Sequence, residues 1–146
     1  MSNSYRELRE RQQQEMNAMP LGFAFSNKQF EEMMQKWGLD PEKDSDKLVR
    51  IPAGGFIQKK DAQALTDLVQ RHDRELQTAI EMDLTGEEFI YDMFLYELDN
   101  HEYGYTGDPE DAFTALGITY EDVMTDTRLC AGFKKAHSEI MSRDSY

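Results

Sequence analysis

A single cysteine, Cys130, among 146 residues leaves no internal disulfide framework, which suits a reducing compartment. Long apolar runs are missing too: nothing approaches the roughly 18 consecutive hydrophobic residues of a membrane span. The opening Met1-Ser2-Asn3-Ser4-Tyr5-Arg6-Glu7 lacks the basic and apolar segments of a secretory signal. The expected setting is therefore the cytoplasm, with no membrane partner. Only three histidines occur, His72, His101 and His137, too scattered for HExxH or Cys/His zinc spacing. No glycine-rich phosphate loop follows a strand, because Ala53-Gly54-Gly55 reads as a hairpin turn.

The most informative absence is positive charge. From Glu75 to Thr127 there are 15 acidic residues and no Lys or Arg. Residues 1–74 balance 12 Lys/Arg against 12 Asp/Glu, and the tail from Arg128 carries 4 against 2, within a net charge of −13. An asymmetry of this kind concerns partners rather than fold. Nucleic acid and anionic lipid are repelled, so no direct nucleic-acid contact is expected; a basic protein surface is attracted.

What is present is enough to fold. The length fits one compact domain, 1–146, with an acidic surface region at 75–127. Hydrophobic residues make up 39% of the chain and include 8 Phe, 7 Tyr and 1 Trp, too many for a disordered polymer. The pattern predicts a surface helix over 3–18, stopped at Pro20-Leu21-Gly22, then an extended Phe23-Ala24-Phe25. Ser26 and Gln29 match a capping box for a helix running to Trp37, with Gly38 as its left-handed terminator. Leu48–Ile51 and Phe56–Gln58 flank Pro52-Ala53-Gly54-Gly55 as a β-hairpin, which must lean on helices or pair with Phe23–Phe25. Asp61 is the expected cap of a long amphipathic helix carrying Leu65, Leu68, Val69, His72, Leu76, Ala79 and Ile80. Thr85-Gly86-Glu87-Glu88 reads as a second capping box, opening a helix to about Asp99 that is apolar nearly all round and therefore central. After a loop at Asn100–Gly107, short helices end at Gly117 and restart at Thr119, and a last one covers roughly 126–142. The expected fold is mainly α (α+β), a helical bundle of five or six helices with one small β-hairpin.

Chemistry-bearing motifs are sparse. Asp111–Lys135 has the outline of a helix-turn-helix, but its reading helix holds Tyr120, Glu121, Asp122 and Asp126, which repel phosphates. Asp40, Glu42, Asp44 and Asp46 alternate like a calcium loop, yet Ser45 replaces the glycine and Ile51 the bidentate acid. Cys130 lies mid-helix in Arg128-Leu129-Cys130-Ala131-Gly132 with no nucleophile turn around it. No enzyme, metal or cofactor is expected. Glu97 falls on the apolar face between Ile90, Met93 and Phe94, so it is the candidate buried acid, paired with Arg71, Arg74 or His72 or else facing a pocket. Glu88, Asp92 and Asp99 share the outer stripe of that helix. The loop from Asn100 to Tyr105 combines tyrosines, acids and glycines, a composition favoured at interfaces. The candidate partner-binding set is Glu88, Asp92, Asp99, Glu102, Tyr103, Tyr105, Asp108, Glu110, Asp111, Glu121 and Asp122.

Four stretches together carry a resemblance: Pro20–Asn27, Glu31–Gly38, Ala53–Lys60, and Phe89–Gly107 with its Asn100-His101-Glu102-Tyr103 block. The chain resembles an uncharacterised small protein family encoded on phages and conjugative elements of gut Firmicutes. That resemblance implies an accessory gene of a mobile element in a bacterial host and brings no catalytic residue or cofactor. Setting and charge map together point to a non-enzymatic anti-defence inhibitor of anti-CRISPR or anti-restriction type. Its acidic, Tyr-rich surface would act as a nucleic-acid mimic in the basic groove of a host nuclease. Two alternatives stand beside it: a regulatory or assembly module binding a protein of the element itself, or acting as a homo-oligomer, and a small-ligand sequestering protein or enzyme with a pocket near Glu97.

Overall fold

The computed structural model describes residues 2–143. In chain order it forms α1 (Ser4–Asn17), β1 (Leu21–Phe23), α2 (Asn27–Lys36), a 3-10 turn at Ser45–Lys47, β2 (Leu48–Ile51), β3 (Gly55–Gln58) and α3 (Lys59–Met82). Then follow α4 (Phe89–Asn100), α5 (Tyr103–Thr106), α6 (Glu110–Leu116), α7 (Tyr120–Thr125) and α8 (Thr127–Ser142). The fold is mainly α with a small antiparallel sheet, as the patterning predicts. The described residues hold eight helices rather than five or six, because the expected loop at Asn100–Gly107 contains the four-residue α5 and 110–142 divides into three helices with separate stop signals. The chain resolves into two compact units, Gln12–Asp73 and Met1–Arg11 with Arg74–Tyr146, and the division falls within α1 and α3.

In the Gln12–Asp73 unit, the expected hairpin gains a third strand, in the order β1-β3-β2. Leu21 pairs with Ile57 on one side and Val49 pairs with Ile57 on the other, so Gly22, Phe56 and Arg50 share the opposite face. Helix α2 lies on that face. Gly22 has no side chain to hold it off, and a Cβ there would sit 2.5 Å from the Met33 sulfur. Ala53 and Gly54 turn the hairpin with φ of 63° and 75°, the left-handed pair that matches strand twist. Ser26 caps α2 by accepting from the Gln29 N–H at 3.2 Å, while the Gln29 side chain accepts from the Phe25 N–H at 2.7 Å. The capping box is thus displaced by one residue. Asp61 does not cap α3; the helix leaves β3 directly at Lys59, and Asp61 sits in its first turn, where a negative charge still suits the helix dipole. The Asp40–Asp46 segment is a hydrogen-bonded turn in which Asp40 accepts from the Glu42 and Lys43 N–H groups and Asp44 pairs with Lys47 at 3.1 Å.

The second unit is organised around α4, whose Ile90, Met93, Phe94, Glu97 and Leu98 are buried. Its core also takes in Tyr5, Leu76, Tyr103, Ala112, Phe113, Val123, Ala136 and Ile140. The rings of Phe94, Phe113 and Phe133 meet edge to face at 5.4–6.0 Å. Helix α8 reaches the turn before α4 through two glycines. A Cβ on Gly132 would lie 2.6 Å from the Gly86 carbonyl oxygen, and one on Gly86, at φ +87°, would lie 2.0 Å from the Arg128 carbonyl oxygen. Arg128 also donates to the Ile80 and Asp83 carbonyls at 3.0 Å each, closing the C-terminal end of α3 with a cation.

Thr85 does not cap α4 as the spacing predicts. Asp83 organises that turn instead. Its buried carboxylate accepts from the backbone N–H groups of Gly86 (2.8 Å), Ile90 (2.9 Å), Glu88 (3.0 Å) and Thr85 (3.3 Å), and from the Thr85 hydroxyl. Burial pushes its pKa up, but the Ile90, Gly86, Glu88 and Thr85 N–H groups together pull harder and hold it below the usual carboxylate range.

Candidate protein-binding surface

The expected charge asymmetry belongs to one unit. Met1–Arg11 with Arg74–Tyr146 carries 8 Lys/Arg against 19 Asp/Glu, whereas Gln12–Asp73 carries 8 against 10. Not all of that negative charge is offered outward. Of the 15 acids between Glu75 and Thr127, eight already have structural work. Glu75 pairs with Arg11 at 3.0 Å, and Asp83 holds its turn. Asp92 is only half-buried, and it accepts from the Ser4 N–H (2.9 Å) and hydroxyl (2.7 Å), tying down the start of α1. Asp99 is bridged by Arg143 at 3.0 Å. Asp108 accepts from the Glu110 N–H at 3.0 Å, Asp122 completes a capping box with Thr119, and Asp126 caps α8 through the Arg128 and Leu129 N–H groups. Glu97 is the eighth.

Glu97 is buried, as its place on the helical wheel indicates, but its partner is none of Arg71, Arg74 or His72. The Tyr5 hydroxyl donates to Glu97 Oε2 at 2.6 Å, and Arg9 Nε donates to the same hydroxyl oxygen at 3.1 Å. Burial pushes the Tyr5 pKa up to about 12; the Arg9 hydrogen bond opposes this and the one to Glu97 adds to it. The arrangement is a packed polar pair in the core. His72 is likewise accounted for. It is buried with Nε2 3.2 Å from Glu15 Oε1, Arg71 bridges the same carboxylate, and Gln12 donates to the His72 carbonyl at 3.0 Å. Arg71 foremost holds the Glu15 pKa down.

The remaining seven acids, Glu81, Glu87, Glu88, Glu102, Glu110, Asp111 and Glu121, are exposed. Their carboxylates take no hydrogen bond or ion pair among the described residues. They are grouped locally rather than in one sheet of charge. Helix α4 alone, 12 residues long, separates Glu88 from Glu102 by about 18 Å at 1.5 Å per residue.

The two tyrosines of the 100–107 segment part company. The segment is not an open loop: Glu102 takes a left-handed φ of 58° and starts the single turn α5. Tyr103 is thereby turned inward and buried, its hydroxyl 2.7 Å from His137 Nδ1, with burial raising its pKa. Tyr105 is turned outward and 95% exposed. It lines a shallow groove with Asp99, Glu102, Gly104, Ile140 and Arg143.

A second concavity lies where α6 gives way to α7. It measures about 370 Å³ and is lined by Asp108, Pro109, Glu110, Phe113, Thr114, Ile118, Thr119 and Tyr120. Three terminators fix its walls. Asp108 accepts from the Glu110 N–H ahead of α6. Gly117, at φ +70°, ends α6 while the Ile118 N–H bonds back to the Phe113 carbonyl at 3.0 Å, and the Thr119–Asp122 capping box starts α7. Tyr120 is 63% exposed, and Met124, one turn on along α7, is also exposed. The sequence expectation named Asp108, Glu110 and Asp122 but missed Tyr120 as a contact residue. Its signal is an aromatic directly after an N-cap threonine, on the same side of a six-residue helix as Met124.

The described residues thus define a mainly α protein whose surface offers exposed acids and two exposed tyrosines, Tyr105 and Tyr120. The chain belongs to a family of unknown function, DUF7659, whose model matches residues 4–139. No curated protein and no solved structure matches it. No helix among the described residues is long and apolar enough to cross a membrane.

Proposed function

We propose that the protein is a non-enzymatic binding protein that engages a basic protein face through the acidic surface of the Arg74–Tyr146 unit. The observation that carries this reading is the set of seven exposed carboxylates with no internal partner among the described residues. Two of them share a groove with an exposed tyrosine: Glu102 with Tyr105 and Glu110 with Tyr120, whose rings are offered to solvent. Carboxylates without an intramolecular partner attract a cationic face and steer its approach, and exposed tyrosines add apolar contact with a polar tip. Together with the resemblance to proteins of phages and conjugative elements, this favours an anti-defence role in the cytoplasm of a bacterial host, with the basic groove of a host nuclease as the target. Affinity capture from host lysate at low and high salt tests it, run beside a variant with Glu88, Glu110, Asp111 and Glu121 changed to Gln or Asn. A captured basic protein should be lost both at high salt and with the variant. Capture indifferent to both overturns the reading. The exposure of Tyr105 favours a second reading, a module docking on a protein of the element itself. In that case Tyr105→Ala abolishes capture and the acid variant does not.

A further inference from the structure

We infer that the cleft between α6 and α7 receives an arginine side chain of the protein partner. This deepens the reading above and rests on it. The cleft has the layered chemistry that an arginine side chain has. Pro109, Phe113 and Ile118 give the lining its apolar part, which suits the three-carbon stem that long cationic side chains lay along apolar surface. The Tyr120 ring stands open at one wall, and guanidinium planes stack on aromatic faces. Asp108 and Glu110 are the acidic residues of the same lining. Asp108 spends one oxygen on the Glu110 N–H, which holds the group in place while leaving its charge to face an incoming cation.

Lysine matches less well, because its ammonium is a strongly hydrated point charge that gains little from a stacking ring. A phosphate or another anion would meet two carboxylates. An uncharged aliphatic side chain would suit the apolar part but strand the acids against it. The cleft is also preformed. Its three walls are set by the Asp108 turn, the Gly117 terminator and the Thr119–Asp122 box, so little ordering cost falls on binding.

The test is an amide NMR titration of the full chain with Nα-acetyl-arginine methylamide, with the lysine and norleucine analogues in parallel. Saturable, salt-sensitive shifts are expected at Thr114, Ile118, Thr119 and Tyr120, in the millimolar range. Arginine should bind several-fold more tightly than lysine, and norleucine should not saturate. Tyr120→Ala should weaken arginine binding about tenfold and Glu110→Gln by about threefold. Both residues are exposed, so the variants keep the fold, which the same spectra verify. Absence of saturable arginine shifts in the cleft, or equal response to norleucine, overturns the inference. An octa-arginine peptide separates this failure from that of the parent reading. If it binds with salt dependence and shifts Glu87, Glu88 and Glu102 while leaving the cleft silent, the arginine site is lost and the acidic-surface reading stands. If it binds nowhere, both fall.

Discussion

Replacing Asp83 should unfasten the turn between α3 and α4. In Asp83→Ala, the N–H groups of Gly86 and Ile90, now held at 2.8 and 2.9 Å in buried positions, lose their acceptor; that of Glu88 can turn to water. An orphaned buried donor costs about 1–3 kcal/mol, so two of them set the loss at roughly 3–5 kcal/mol. For a chain of this length that lowers the midpoint of thermal unfolding on the order of 10 °C. Asp83→Asn keeps one acceptor oxygen and loses the charge, so it should lose about half as much. The pH dependence has a definite sign. The folded carboxyl has a lowered pKa, so its stabilisation is fully present above the unfolded value of about 3.9. It drains away as pH falls through the folded value. The gap between parent and Asp83→Asn should therefore be widest near neutrality and shrink as pH falls below the unfolded value. Urea unfolding followed by far-UV circular dichroism measures the gap, and hydrogen exchange at the Ile90 amide locates it. A parent-like Asp83→Ala, within about 1 kcal/mol and with Ile90 still protected, refutes this account of the turn.

Three further outcomes follow from the geometry. Tyr5→Phe strips the 2.6 Å donor from buried Glu97 and should cost about 2 kcal/mol, most of it recovered when Glu97→Met removes the stranded acid as well; chemical denaturation of the single and double variants decides. Gly86→Ala forces a side chain into a left-handed backbone and against the Arg128 carbonyl, so a loss of roughly 3 kcal/mol or more, or failure to accumulate folded protein, is expected. Thr119→Ala removes one half of the α7 capping box and should cost about 1 kcal/mol, read as a shift in thermal midpoint.

Local signals in the sequence foretold a good part of this architecture because they act over three or four residues. Ser26, Gly38 and Gly117 terminate helices where their chemistry requires, and the Leu48–Gln58 hairpin turns at Ala53-Gly54. The all-round apolar character of Phe89–Asn100 marks the helix that becomes the centre of its unit. What stayed hidden depends on distant chain. Asp83 sits between Met82 and Leu84, two hydrophobics that end up 75% and 83% exposed, so the hydropathy pattern there points the wrong way. Its one local clue is an Asp three residues before Gly86, the composition of a turn. Tyr5 lies in a helix crowded with charge, and its burial comes from distant chain: Glu97, 92 residues on, and the rings of Phe89 and Tyr96. Tyr103 and Tyr105 look equivalent until Glu102 adopts a left-handed conformation with no glycine to announce it.

The separation of the carboxylates into two sets has a practical consequence. Asp83, Asp92, Asp108, Asp122 and Asp126 hold the framework by accepting from backbone N–H groups, whereas Glu110, Asp111 and Glu121 sit at the surface. On the binding reading proposed above, recoding the second set re-aims the molecule at a differently charged target while its thermal midpoint holds steady. On that reading natural drift is open to the same route, because these positions can change without disturbing the scaffold.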